Sequence, residues 1–292
     1  MPRHFITGTE LSGEELHGLI ERALELKRAP YSSDALRRRA VALIFQKPST
    51  RTRVSFEAGI AELGGHAMVL RSDELQLSRG ESVRDTAYVL SRHAAAIGIR
   101  TGEEALVTEM AEYATVPVIN MLTPGHHPCQ VLADLLTLQE AFGRLEGLTL
   151  AYVGDGNNVA RSLVELGALA GVNVRVASPD GYQLEADSSA VLTDDPSQAV
   201  RGADAIYTDV WVSMSDAPES AAERRRQLTP YRLDDELLNL AAPHAIALHC
   251  LPAHAGEEIT EAVLYGERQR IWDQAENRRH AHKALLELLI GA

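Results

Sequence analysis

The 292-residue sequence is poor in cysteine and in aromatic side chains: two cysteines, four phenylalanines and two tryptophans. Cys129 and Cys250 are too few to staple a chain this long, and that scarcity points to a reducing cytoplasm. With so few rings, the cores must be built from Leu, Val, Ile and Ala. Long apolar runs are also missing. Nothing approaches the roughly 18 apolar residues of a membrane span, and Met1–Gly8 lacks the apolar centre of a signal peptide. Nor is there an excess of positive charge, the formal net charge being −13. Nucleic acids and anionic membranes both require a basic footprint and are excluded as partners. A small anion held by a local group of arginines is not. The expectation is a soluble cytoplasmic protein.

What is present is an ordinary globular composition, 45% hydrophobic and 24% charged, in a chain long enough for about two domains. Ser12 and Glu15 form a capping box ahead of Leu16, Leu19, Ile20, Ala23 and Leu24 at helical spacing. Strand and helix patterns then alternate. Strands are expected at Val41–Phe45, Ala67–Leu70, Ile97–Ile99 and Val116–Ile119. Helices follow at Phe56/Ile60/Leu63, after Ser82, and at Val131/Leu132/Leu135/Leu138. The pattern restarts with strand Leu148–Val153, a helix from about Val159, and strands Val172–Ala177, Ala205–Thr208 and Ala245–His249. A last helix covers roughly Glu276 to Ile290. This alternation predicts an α/β protein of two doubly wound parallel-sheet domains, 1–140 and 141–275, with 276–292 closing the chain.

Three groups of residues suggest chemistry. Ser49-Thr50-Arg51-Thr52-Arg53 falls between an apolar strand and a helix. A helix N-terminus offers free N–H groups and a positive dipole end, and here hydroxyls and guanidiniums share its first turn. They can ring a phosphate with charge-assisted bonds. The plainer reading is a serine cap followed by solvated arginines. His127-Pro128-Cys129-Gln130 opens another helix, Pro128 suiting its first position. In an open parallel sheet that edge binds ligands, and His127 could donate to a carbonyl oxygen gaining negative charge. The alternative is a capping histidine. Neighbouring His126 and His127 do not converge on one metal ion, and no carboxylate sits at ligand spacing.

The second half carries Gly154-Asp155-Gly156-Asn157-Asn158, Asp209-Val210-Trp211-Val212-Ser213-Met214 and His249-Cys250-Leu251-Pro252, each after an expected strand. The first suggests a dinucleotide turn. Its third glycine, however, falls on Ala160, and no acidic residue ends a second strand near Ala177-Ser178, so a nicotinamide oxidoreductase is weakly supported. Asn158, Asp209, Ser213 and Cys250 offer an amide, a carboxylate, a hydroxyl and a thiol, a set suited to a small zwitterion with an extra amine. The alternative for Cys250 is a small buried apolar residue, as most free cysteines are.

These motifs, in this order along essentially the whole chain, resemble the aspartate/ornithine carbamoyltransferase family. Ser49–Arg53 is similar to its carbamoyl-phosphate signature and His127–Gln130 to its carbamoyl-recognition motif. Asp155–Asn158, Asp209 with Ser213-Met214, and His249–Pro252 look like the ornithine-specific set, since aspartate enzymes usually carry His-Pro-Leu-Pro at the last of these. The resemblance implies a carbamoyl-phosphate domain (1–140), an ornithine domain (141–275) and a last helix (276–292) packing back on the first. It also implies a homotrimer, with stacked trimers conceivable, and no metal or cofactor. Carbamoyl phosphate would meet Ser49, Thr50, Arg51, Thr52, Arg53, Arg100, His127, Gln130, Cys250, Leu251 and Arg278, with Gln76 reaching a neighbour's site. Ornithine would meet Asn158, Asp209, Ser213 and Met214, and Arg100, His127, Cys250 and Arg278 would carry catalysis. Two motifs depart from the family pattern: Ser213-Met214-Ser215 stands for Ser-Met-Gly, and Asn120-Met121-Leu122-Thr123-Pro124 for Asn-Gly-Leu-Thr-Asp. Both bear on loop closure and affinity rather than on reaction type. Alternatives are transfer to putrescine or an acylated ornithine, and a paralogue that binds carbamoyl phosphate without turning it over.

Overall fold

The structure is a computed structural model describing residues 2–71, 73–185, 189–212 and 220–291. The chain divides into two compact units, Met1–Leu136 with Glu276–Ala292, and Thr137–Ala275. In the first, α1 (Gly13–Arg28) starts at the expected capping box, Glu15 N donating to Ser12 Oγ and Ser12 N to Glu15 Oε2. Strands β1 (Ala40–Phe45), β2 (His66–Arg71), β3 (Ala96–Arg100) and β4 (Val118–Leu122) form one parallel sheet in the order β2-β1-β3-β4. β1 lies inside that sheet and reads Ala-Val-Ala-Leu-Ile-Phe, the unbroken apolar run that a strand buried on both faces requires. Helices α2 (Thr50–Glu62), α3 (Val83–Leu90) and α4 (Glu104–Tyr113) make the crossovers, and α5 (Pro128–Phe142) follows the last strand.

In the second unit, β5 (Thr149–Val153), β6 (Asn173–Ala177), β7 (Val191–Thr193), β8 (Ala205–Thr208) and β9 (Ile246–His249) form a parallel sheet ordered β7-β6-β5-β8-β9. Its helices are α6 (Asn158–Leu169), α7 (Pro196–Val200), α8 (Ala221–Leu228), α9 (Asp235–Leu238) and α10 (Glu261–Leu264). The chain returns to the first unit within α11 (Ile271–Ile290). Both sheets and the returning helix match the expected fold class. Among the described residues, no helix is long and apolar enough to cross a membrane.

Several boundaries differ from the sequence reading. β4 runs over Val118–Leu122 rather than Val116–Ile119, because Pro117 has no N–H for the ladder and polar Asn120 is accommodated inside the strand. Its amide donates to Ile6 O at 2.8 Å and to Thr123 Oγ1 at 3.1 Å. Helix α4 was not expected, although Leu106, Val107 and Met110 supply its buried stripe. The last helix starts at Ile271 rather than Glu276. β7 and α7 are too short to show a period in sequence.

Candidate active site

Parallel strands end on one edge of their sheet, so each unit gathers its strand-end loops there. In the first unit, Ser49 holds the N-cap position of α2 in extended conformation (φ −159°), yet its side chain makes no capping hydrogen bond. The plain cap reading therefore fails. Thr52 lies buried one turn into α2 and its Oγ1 accepts a 2.7 Å bond from Arg278 Nη2 on α11. Arg278 Nη1 also donates to Gln130 Oε1 on α5. A tight turn, in which Thr123 N donates to His126 O at 2.9 Å, leads into His127, and Pro128 begins α5 as expected.

His127 is buried, and burial holds its pKa well below the usual histidine value. The Arg278, Arg100 and Arg51 guanidiniums and the His282 ring push in the same direction. The imidazole is thus neutral near pH 7. It can donate to an oxygen without carrying charge, within a field of three guanidiniums. Cys129, one residue away from Gln130, has its thiol pushed up to about 12 by burial and donates to Asn120 O. It is a packing residue. Thr50 is exposed, and exposed Arg53 is engaged by Glu57 at 2.9 Å. Gln76 lies exposed on the 3₁₀ turn Gln76–Arg79.

In the second unit, three donors converge on Asp209, just past β8. Cys250 Sγ (2.8 Å) and Val210 N (2.8 Å) reach Oδ1, and Asn157 Nδ2 (2.9 Å) reaches Oδ2. Asn157, the neighbour of the expected ornithine-binding Asn158, is the amide that meets Asp209. It also caps α6, its Oδ1 accepting from Val159 N at 2.9 Å and Ala160 N at 3.2 Å. Asn158 is the first residue of α6 and is half-buried. Burial above all raises the Tyr152 phenol well above its ordinary pKa, and the negative field of Asp209 and Asp155 pushes the same way. Such a field favours a cationic ligand, as the arginines of the first unit favour an anion. Ser213, Met214 and Ser215 lie outside the described residues.

The turn after β9 is held from beneath. His249 Nδ1 accepts from Leu251 N at 2.8 Å, and Nε2 meets buried Glu258 at 3.2 Å. Leu251 adopts φ +60° and its bond to Pro252 is cis. Asp209, His249 and Cys250 bring ligand atoms within 4.8 Å of one another. Both ring nitrogens of His249 are nonetheless committed to the turn, which makes this a hydrogen-bonding arrangement rather than a metal ligand set. The dinucleotide reading also fails on geometry. A Cβ at Gly156 would lie 2.6 Å from Tyr182 O and 2.8 Å from Leu184 N, so the close approach is taken by the chain itself.

Four contributors escaped the sequence reading: Asn157, Asp134, Glu258 and Arg224, whose Nε donates to Trp211 O at 2.8 Å while Nη2 pairs with Asp155. Asn157 had a signal, an asparagine opening a helix. Asp134 had another, an acid four residues after Gln130 among Val131, Leu132, Leu135 and Leu136.

Comparison with known proteins agrees with this picture. Residues 3–140 match the carbamoyl-P binding domain of aspartate/ornithine carbamoyltransferases, and residues 146–289 match their Asp/Orn binding domain. The chain is 51% identical to the ornithine carbamoyltransferase of Acidothermus cellulolyticus, over 100% of this chain and 98% of that protein. With the enzyme of Methanoculleus marisnigri it shares 48% identity over the same fractions. The solved structure of ornithine carbamoyltransferase from Pyrococcus furiosus superposes with a TM-score of 0.93 at 44% identity, covering 100% of this chain and 98% of that one. The Thermus thermophilus enzyme gives 0.89 at 45% identity, covering 95% and 96%. With one domain type matched in each half and full-length relatives at this identity, the chain belongs to the aspartate/ornithine carbamoyltransferase family.

Proposed function

We propose that this protein transfers the carbamoyl group of carbamoyl phosphate to the δ-amine of L-ornithine, giving L-citrulline and phosphate. The observation that carries the reading is the field of Arg51, Arg100 and Arg278 acting on a buried, neutral His127. It suits a phosphorylated carbonyl compound: guanidiniums balance the phosphate, while neutral imidazole donates to the carbonyl. Ser49, Thr50, Arg51, Thr52 and Arg53 bind the phosphate, with Gln76 of a neighbouring subunit. Arg100, His127, Arg278 and Thr52 polarise the carbonyl, and Gln130 reads the carbamoyl amide. Asp209 takes the α-ammonium of ornithine, with Asn158, Ser213 and Met214 around the amino-acid end. Cys250 and the Leu251 backbone face the reacting groups.

The neutral δ-amine attacks the carbamoyl carbon, and a tetrahedral intermediate forms. The bond between the carbamoyl carbon and the oxygen bridging to phosphorus breaks, the phosphate leaves with that oxygen and the electron pair, and the nitrogen loses a proton. Positioning and charge stabilisation suffice for this sequence. Losing one oxyanion donor should slow turnover on the order of 10²–10³-fold.

The decisive assay is citrulline formation from carbamoyl phosphate with ornithine, run beside putrescine and aspartate. Ornithine is expected to be preferred, and kcat/KM for ornithine should climb from neutral to alkaline pH. An alkyl amine has a pKa near 10.4, so only about one molecule in 10³ is nucleophilic at pH 7. Equal rates with putrescine would overturn the substrate, and a flat profile would overturn amine attack. The reading extends to a cytoplasmic homotrimer serving arginine biosynthesis. Sedimentation should then give a trimer, and a fully active monomer would contradict it.

A further inference from the structure

The side chain that reads the carbamoyl amide must present the correct end. A glutamine has a donor end and an acceptor end of nearly equal shape, and packing alone cannot tell them apart. In this protein Gln130 stands between two groups that can. On one side Arg278 Nη1 donates to Gln130 Oε1. On the other Gln130 Nε2 donates 2.8 Å to Oδ1 of Asp134, one helical turn further along α5. A guanidinium can only donate and a carboxylate can only accept. Rotating the Gln130 amide by half a turn would set donor against donor and acceptor against acceptor. Burial makes that choice costly: Thr52, Gln130, Asp134 and Arg278 are at most 2% exposed, so no bulk water can take up the mismatch.

We propose that Asp134 is a positioning residue that fixes the amide orientation of Gln130, and with it the direction in which Arg278 and Gln130 address the carbamoyl group. The chain of contacts runs Asp134–Gln130–Arg278–Thr52, joining α5, α11 and the first turn of α2. Asp134 touches no reacting atom; it acts through Gln130. The proposal rests on the reading that Gln130 faces the carbamoyl amide, and the experiment separates the two.

The readout compares two anions. Carbamoyl phosphate carries the group that Gln130 reads, while inorganic phosphate does not. Dissociation constants for both are measured by calorimetry in the full-length enzyme for Asp134→Leu, Asp134→Asn, Gln130→Ala and Asp134→Leu/Gln130→Ala. Asp134→Leu should weaken carbamoyl phosphate on the order of tenfold. Phosphate should bind as well as before or more tightly, because a negative charge beside the arginines is gone. Asp134→Asn keeps an acceptor for Gln130 Nε2 and should lie between wild type and Asp134→Leu, which also covers the case that the leucine variant does not fold. In the Gln130→Ala background the leucine change should cost carbamoyl phosphate nothing further. Parallel weakening of both anions by the folded Asp134 variants, or additive losses in the double variant, would mean that Asp134 merely supports the helix and would overturn the proposal. A Gln130→Ala enzyme that still prefers carbamoyl phosphate to phosphate by the wild-type ratio would overturn the reading of Gln130 itself, and the proposal with it.

Discussion

Asn157 does two things with the two ends of one amide. Its oxygen caps α6 and its nitrogen holds Asp209 Oδ2 at 2.9 Å. The roles can be separated. Asn157→Ala should lose about 1 kcal/mol of stability with the cap and also raise the KM for ornithine about tenfold, because Asp209 loses a donor that orients it. Asn157→Ser restores a capping oxygen but cannot reach Asp209, so its stability should recover while the ornithine KM stays high. Urea unfolding and steady-state kinetics check this, with an unchanged KM for carbamoyl phosphate as the control. If ornithine KM recovers along with stability, the Asp209 contact has no part in binding. The sequence pointed to this turn and to Asn158, but not to the part Asn157 plays in it. Adjacent residues at a helix start look alike in sequence, and only the cap geometry tells which one turns back toward Asp209.

At the scale of elements, α11 is tied to the first unit by buried charge rather than by apolar packing alone. Lys283 is fully buried, and its Nζ donates to Leu26 O (3.1 Å), Pro30 O (3.2 Å) and the Glu62 carboxylate. Arg279 approaches the same carboxylate at 3.3 Å, and Arg22 Nε pairs with Glu287 at 2.7 Å. A buried pair is costly to break one-sidedly, since the surviving charge keeps its desolvation penalty. Glu62→Ala should therefore cost about 3–5 kcal/mol. Lys283→Met, which keeps the apolar stem and drops the charge, should cost less, and the double variant should recover part of the Glu62→Ala loss. Chemical unfolding of the three variants decides it; a Glu62→Ala enzyme as stable as wild type would show the pair to be solvated. The element matters for the proposed reaction because α11 also carries Arg278.

At the scale of the whole molecule, pH acts through histidines that folding keeps neutral. Burial holds His127 and His282 well below the ordinary value of 6.5, and burial with Lys283, Arg279 and Lys27 lowers His280 to about 4. Below 6.5 the unfolded chain takes up protons that the folded chain refuses, so stability falls as pH drops from about 6.5 and is unaffected by these groups above it. Carboxylates add to this only later: Glu15, held at about 2 chiefly by its hydrogen bond to Arg3, stabilises above its ordinary 4.5 and loses that below it. Unfolding midpoints should therefore decline already between pH 6.5 and 5. His282→Phe, which can keep the stack on Phe56 (3.9 Å between rings), should flatten that decline. An identical slope in the variant would remove His282 from the account.

The sequence by itself determined what depends on neighbours along the chain. The strand and helix order follows from hydrophobic period, the start of α1 from Ser12 and Glu15, and the proposal of a phosphate turn from hydroxyls and guanidiniums contiguous at a helix N-terminus. Arg278 and Arg100 entered only through resemblance to a family, because no local pattern marks an arginine inside a helix or at a strand end. Tertiary structure alone decided which distant side chains touch. Arg278 meets Thr52 across 226 positions and Gln130 across 148, and Cys250 meets Asp209 across 41. Parallel topology brings strand ends to one edge whatever their spacing in sequence. Which amide faces which carboxylate there is settled by burial, since an unmatched donor or acceptor in that interior has no water to turn to.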